Sequence, residues 1–358
     1  MAKLKFAFMR EYYKTHRRPW RDYLFGYFHI TARLLSAFAP ITNWMMSLGW
    51  FKNIAARIFQ ITPHRPFPKF ARRRAKVRHV NRPSTAGRKA RPSAQGADST
   101  VIFLSDAFSR YVEPQVEQAA FDILARCGYQ VLVLPVVGAG AALISKSFLE
   151  SAKRHASRVL DALNKLDPDC VLPLVGVEPP ELYAVKNDYA DLLPSRADEI
   201  ASRAARTWLL DEYLLRSDGF SKLRVANIIQ SPLLTNQPKI KFQPHCHQRA
   251  EGPAADGLPS GADATASLSR GLGFDVEVIN SGCCGMAGTF GYEAEHYELS
   301  MKVGEKLLNS DFRIHSDFRF QNSEVVCSGA ACRMQVTQGA GVEARHPLEV
   351  VWEVVSNQ

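Results

Sequence analysis

The chain has 358 residues, 46% hydrophobic and 22% charged, enough for about two domains with buried cores and unlike a disordered polypeptide. Its formal charge of +10 is unevenly held: residues 1–100 carry 21 Lys+Arg against 3 Asp+Glu, leaving 24 and 32 in the remainder, a net of −8. A nucleic-acid-binding fold running through the whole chain is thereby excluded, and nucleic acid is not expected as a partner.

Seven cysteines, an odd count, argue against a full disulfide framework. The opening MAKLKFAFMREYYKTHRRPW has no apolar run ahead of its charges, so no secretory leader is read and a cytoplasmic location is expected. Five of the cysteines fall between Cys246 and Cys332.

Residues 1–62 have a helical pattern and many aromatics. The stretch from Leu34 to Phe51 is uncharged for 18 residues, but Pro40 and the polar Ser36, Thr42, Asn43 and Ser47 interrupt it. Two short amphipathic helices meeting at Pro40 fit better than a membrane span. Such a pair either faces a partner or membrane interface, or packs on the body. Residues 63–99 hold 11 Lys+Arg and few aliphatic side chains. They read as a basic disordered linker, a solvated tether or a polybasic patch for anionic lipid.

From residue 100 the chain alternates β-rich runs with helical periods, so an α/β fold with parallel sheets is expected. Strands are expected at Thr100–Leu104, Gln130–Leu134, Cys170–Leu174, Lys239–Phe242, Phe274–Ile279 and Glu324–Cys327. Helices are expected at Ser145–Lys165, Ser195–Leu215, Glu293–Leu308 and Pro347–Val355. The two halves, 100–215 and 216–358, read as tandem copies of one unit. Each has a strand followed by a short polar turn (SDAF at 105–108, PHCH at 244–247). A second strand leads to a glycine turn (VGAG at 137–140, CCGM at 283–286). A third leads to a helix (GVEPPE at 176–181, CSGAAC at 327–332). Loops at the carboxyl ends of parallel strands converge in one crevice. In the second unit they carry Cys246, Cys283, Cys284, Cys327 and Cys332.

Thiolates are soft ligands, suited to iron–sulfur clusters, zinc or Cu(I). Several convergent thiolates repel one another unless a cation neutralises them, so metal or cluster ligation is favoured over inert buried thiols or a redox dithiol. Both adjacent cysteines reach one centre only if the backbone turns sharply, which Gly282 and Gly285 allow. His245 and His247 flank Cys246 and are candidates either as ligands or as turn-forming hydrogen-bond partners. Cys127 and Cys170 read as packing residues.

HCHQ (245–248), SGCCGMAGTFGYEAEHYELS (281–300) and SGAACRMQV (328–336) resemble the cysteine-rich CCG domain. That domain occurs in heterodisulfide reductase B subunits, anaerobic glycerol-3-phosphate dehydrogenase C subunits and the iron–sulfur subunits of glycolate and lactate oxidases. The resemblance is strongest to the C-terminal third of fusions that join an FAD domain of the D-lactate/D-2-hydroxyglutarate dehydrogenase type to a ferredoxin-like segment and two CCG units. It extends to YYKTHRRPWRDYLFG at 12–26.

The resemblance implies one iron–sulfur cluster, of the 4Fe–4S type, held by Cys246, Cys283, Cys284 and Cys332, with Cys327 as a further candidate. The implied role is electron transfer for a flavin-linked 2-hydroxy-acid dehydrogenase. An FAD-containing subunit and a ferredoxin-type subunit are the implied partners; peripheral contact with the inner face of the cell membrane is expected from the positive charge and apolar helical pair of residues 1–99. The chain departs from the pattern in having no C-x-x-C-x-x-C-x-x-x-C-P run and no FAD domain, so it is not expected to oxidise a substrate unaided. GAGAALIS (138–145) stands where a CCG-type turn belongs, and Glu181 stands where the first unit would place a cysteine. The final cysteines are spaced C-x-x-x-x-C. A zinc-stabilised structural domain and an inactive fragment of such an enzyme are the alternatives.

Overall fold

The computed structural model describes residues 2–72, 75, 100–230, 238–308 and 323–356. Two four-stranded sheets, parallel throughout, form the body. The first is ordered β2 (Gln130–Val133), β1 (Thr100–Phe103), β3 (Leu174–Gly176), β4 (Thr207–Leu209). The second is ordered β6 (Asp275–Val278), β5 (Lys239–Gln243), β7 (Ser323–Cys327), β8 (Ala344–Arg345). The order is the same in both, 2-1-3-4 in chain sequence, as tandem copies require.

β1 reads TVIF and is buried at every residue, the continuous apolar run of a strand covered on both faces. Between strands lie amphipathic helices such as Leu149–Leu166, whose Ala152, Ala156, Val159, Leu160 and Leu163 recur at helical spacing and are buried. One apolar cluster runs through both units, joining Val101, Phe103 and Phe121 to Ile240, Phe242, Val326 and Val351. The C-terminal helix Pro347–Ser356 packs against Pro114–Arg126 of the first unit. The two sheets therefore share one core.

The third strand begins later than expected. Asp167 accepts hydrogen bonds from the Val171 and Leu172 amides at 3.0 and 3.1 Å, and Cys170 is left-handed at φ 52°, so this segment is a turn and pairing with β1 starts at Leu174. The helical block expected at Ser195–Leu215 is split by β4, and β8 was not anticipated. These strands have three residues and two, too few for a period-2 signal.

Among the described residues, the N-terminal region forms five helices: α1 (Ala2–Thr15), α2 (Trp20–Gly26), α3 (Phe28–Ala37), α4 (Ala39–Ser47) and α5 (Gly49–Phe59). Pro40 sits in the first turn of α4, the place in a helix where its missing N–H costs least. No helix of the described residues is long and apolar enough to cross a membrane. α2 docks on the body through ion pairs of Arg21 with Glu293 and Glu295, and of Asp22 with Lys146. Of the expected linker 63–99, the start at 63–70 lies against the body rather than free in solvent. Ile61 bridges Glu293, and Arg65 and Phe70 are buried. Most of the basic stretch, residues 76–99, lies outside the described residues.

Candidate metal–thiolate centre

The five clustered cysteines meet at the carboxyl edge of the second sheet. Cys246 opens the short helix Cys246–Ala250, three residues past the end of β5, while Cys283 and Cys284 lie in the loop after β6. Cys327 is the last residue of β7, and Cys332 lies on the helix Ala330–Ala340 that follows. The Cys284 thiol is within hydrogen-bonding reach of both Cys283 and Cys332. Cys246 feels the charge of Cys283, Cys332 that of Cys327 and Cys246, and Cys327 that of Cys284. Cys246 and Cys283 are exposed, whereas Cys284, Cys327 and Cys332 are buried, so the pocket opens to solvent on one side. Cys127 and Cys170 lie elsewhere, Cys127 donating to the Gly219 carbonyl at 3.5 Å.

Backbone conformation gathers the vicinal pair. Gly282 and Gly285 have φ of +83° and +88°. A Cβ at Gly285 would collide with the Ser300 carbonyl oxygen and come within 2.9 Å of the Gly304 nitrogen, so only glycine lets the loop lie against the helix Tyr297–Lys306. Gly285 donates its N–H to the Cys283 sulfur at 3.3 Å.

His245 is a capping residue. Its Nδ1 accepts from the His247 amide at 3.2 Å, and its own amide donates to Ser328 Oγ at 3.0 Å. Burial, then His247 and Arg333, depress its pKa to about 3, so the ring is neutral. With Nδ1 accepting, the proton sits on Nε2, 3.8 Å from the Cys246 sulfur. The His247 ring packs edge-on against it at 5.1 Å. Of the two roles open to these histidines, His245 fills the turn-forming one.

The local environment holds every thiol of the cluster protonated. Cys283 is pushed up first by its hydrogen bond to Cys284 and then by burial. Cys284 is drawn down by Cys283 but carried up overall by Cys332 and burial. For Cys332, burial and Cys327 outweigh the lowering bond to Cys284. Cys327 is raised by burial, and Cys246, exposed at the pocket mouth, is raised by the partial desolvation its neighbours impose and then by Cys283. Such thiols are poor nucleophiles. A soft cation supplies what they lack, a positive charge that displaces the protons, so the donor set fits a metal or cluster.

Each station of this pocket has a counterpart in the first unit. Asp106 lies three residues past β1, as Cys246 does past β5. Gly138 and Ala139 match Cys283 and Cys284, and Gly140 at φ +89° matches Gly285. Glu181 matches Cys332. Its carboxylate accepts from the Ala139 and Ala141 amides at 2.5 and 3.3 Å, while Asp106 accepts from Phe108 and Ser109 at 2.7 and 2.9 Å. The chain's own carboxylates thus fill the first unit's pocket.

Several contributors to the site carried no sequence signal. Glu178, just past β3, accepts the Ala330 amide at 3.1 Å and so fixes the Cys332 helix from the other unit. Arg333 binds Glu113 at 2.6 Å and the Cys327 and Ser328 carbonyls at 2.9 and 3.0 Å. Only the folded chain brings these partners together. Glu293, Glu295 and His296 form another compact group of potential metal donors, but Arg21 and Lys146 already pair with its carboxylates.

No family model matches the chain. It is 24% identical to D-2-hydroxyglutarate dehydrogenase of Escherichia coli (strain K12) over 352 residues, 97% of this chain and 32% of that protein. The enzyme of the same name from Pseudomonas putida (strain KT2440) is 24% identical over 348 residues, 96% of this chain and 31% of the relative. The C subunit of anaerobic glycerol-3-phosphate dehydrogenase from Escherichia coli (strain K12) is 23% identical over 355 residues, 97% of this chain and 80% of that protein. The chain therefore spans about a third of the hydroxyglutarate dehydrogenases and most of the glycerol-3-phosphate dehydrogenase component. Nearly its whole length is similar to proteins named for dehydrogenase activity, which supports an oxidoreductase-related role and agrees with the resemblance carried by the cysteine loops.

Proposed function

We propose that the chain is an electron-transfer module holding one iron–sulfur cluster of the 4Fe–4S type on Cys246, Cys283, Cys284 and Cys332. The observation that carries this reading is the convergence of thiols from three separate loops on one pocket at the carboxyl end of a parallel sheet, while carboxylates occupy the equivalent pocket. When bound, the cluster supplies one-electron redox chemistry. The chain's residues hold and bury it: Gly285 sets the loop, His245 and Gln248 cap the Cys246 helix, and Glu178 anchors the Cys332 helix. Cys327, wholly buried at the strand end, lies beside Cys284 and lines the pocket.

Zinc is the second reading. At Zn–S distances of ~2.3 Å, tetrahedral thiolates stand roughly 3.8 Å apart. The Cys284 thiol lies within hydrogen-bonding reach of Cys283 and Cys332, and Cys246 is close enough to Cys283 to feel its charge, so a single zinc ion is a chemically reasonable occupant of the same donors.

Electrons would come from a flavin on a partner dehydrogenase subunit acting on a 2-hydroxy acid, with a ferredoxin-type subunit between them. The N-terminal helices offer a docking face. Leu34, Phe38, Ile41, Trp44, Trp50 and Ile58 are exposed, with Arg33 and Arg57 among them, and residues 23–97 contain no acidic side chain. Apolar and indole groups set in positive charge fit an anionic membrane surface on the cytoplasmic side. Anaerobic purification followed by iron, sulfide and zinc analysis tests the reading. Iron and sulfide in cluster proportion support it, and stoichiometric zinc in a colourless protein overturns it.

A further inference from the structure

Four arginines among the described residues are deeply buried, and three of them have carboxylate partners: Arg21 with Glu295, Arg203 with Asp167 and Arg333 with Glu113. Arg65 is the exception. It is 2% exposed, and every group it touches is neutral. Its Nε donates to the Gly291 carbonyl at 2.7 Å. Its terminal nitrogens donate to Gln335 at 2.6 Å, Gln338 at 3.0 Å and Ser300 at 3.1 Å. The Tyr292 and Tyr297 rings lie 5.8 and 5.3 Å away. Taking a cation out of water is costly unless an anion answers it, and neutral hydrogen bonds offset only part of that cost.

A group that can become an anion lies within electrostatic reach. Ser300 and Gly291, both bonded to Arg65, belong to the wall on which the Cys283–Met286 loop rests, and a charged Cys284 acts on Arg65. Arg249 makes a matching arrangement at the opposite rim. It is partly buried and donates to Gln243 at 3.1 Å, to Pro244 and Asn280 at 3.4 Å, and to the Ile279 carbonyl. It too has no carboxylate among these partners, and its charge acts on Cys246, Cys283 and Cys332. As neutral thiols, the cysteines leave both cations unanswered. As four metal-bound thiolates, they carry more negative charge than a divalent core cancels.

We propose that Arg65 and Arg249 are the built-in counter-charges of an anionic metal–thiolate centre, positioning residues that favour its loaded and its reduced forms. The assignment rests on the metal-centre reading above and adds what the N-terminal arm contributes to it. One-electron reduction, with dithionite as the donor, places a further negative charge between the two guanidiniums.

The test compares full-length wild type with Arg65→Met, Arg65→Lys and Arg249→Met, each loaded anaerobically with iron and sulfide or with zinc. The expected result is a smaller rise in melting temperature on loading for both Met variants than for wild type, with Arg65→Lys retaining most of it. At wild-type iron content the Met variants should also have more negative midpoint potentials, with Arg65→Lys close to wild type. Equal loading rises in wild type and both Met variants would overturn the assignment, as would unmoved potentials at full iron content. Should the chain load zinc alone, the iron–sulfur reading fails, while the loading rise still decides the role of the arginines. Should Arg65→Met not fold, Arg249→Met at the rim carries the same comparison.

Discussion

Glu181 and Cys332 hold the same station in their respective units, each five residues past the last residue of the third strand, one a half-buried glutamate and the other a buried cysteine. The substitution explains why one pocket is self-filled. A carboxyl group accepts the loop amides directly and closes the pocket with its own oxygens, whereas thiols need a cation to become charged.

Glu181 also gives the first prediction. Burial, then Asp106, raise its pKa from 4.5 to about 7, against the lowering effect of the Ala139, Ala141 and Gly140 amides. The folded state therefore binds this proton more tightly than the unfolded chain does. Its stabilising contribution is full below pH 4.5 and is lost as the pH rises through about 7. Glu181→Gln keeps an acceptor for the loop amides and removes the titration. The variant should gain stability relative to wild type as the pH rises from 5 to 8, on the order of 2 kcal/mol. Urea unfolding at both pH values measures the difference. A difference independent of pH would show that Glu181 does not titrate in this window.

The turn glycines separate space from conformation. Gly282 has positive φ but open surroundings, so Gly282→Ala should cost roughly 1–2 kcal/mol and leave metal loading intact. Gly285→Ala adds a collision with the Ser300 carbonyl, and the loop must move off the helix. It should cost more than Gly282→Ala and lose most of the bound metal. Urea midpoints and metal content report both, and equal loss of metal in the two variants would contradict the assigned geometry.

The tandem α/β architecture was legible because buried parallel strands announce themselves as apolar runs, as in TVIF at 100–103. The thiol pocket was legible because parallel topology sends strand-end loops to one edge, so cysteines far apart in sequence could be grouped. The short strands β4 and β8 were not legible. Their pairing is imposed by β3 and β7 rather than by any pattern in residues 207–209 or 344–345. Arg65 was hidden for a different reason: in a run of 11 basic residues, nothing local marks the one that is buried. Glu178 and Arg333 were hidden because their partners come from the other unit.

The exposed face of α3–α5 predicts salt-dependent lipid binding. Full-length protein should co-sediment with vesicles containing anionic lipid and not with neutral ones. Binding should weaken as salt shortens the Debye length from ~10 Å at 0.1 M to ~3 Å at 1 M. Binding that is indifferent to lipid charge and to salt would contradict the electrostatic part of this prediction, and no binding to either kind of vesicle would assign the face to a protein partner instead.

The central claim is one cluster per chain, held by thiols of the second unit alone. Anaerobic reconstitution of wild type and the Cys→Ser variants, with iron and acid-labile sulfide counted per chain, tests it most directly. The account predicts one cluster in wild type, unchanged in Cys127→Ser and lost or sharply reduced in Cys246→Ser, Cys283→Ser, Cys284→Ser and Cys332→Ser. Two clusters per chain, or equal metal in Cys127→Ser and Cys284→Ser, would contradict it.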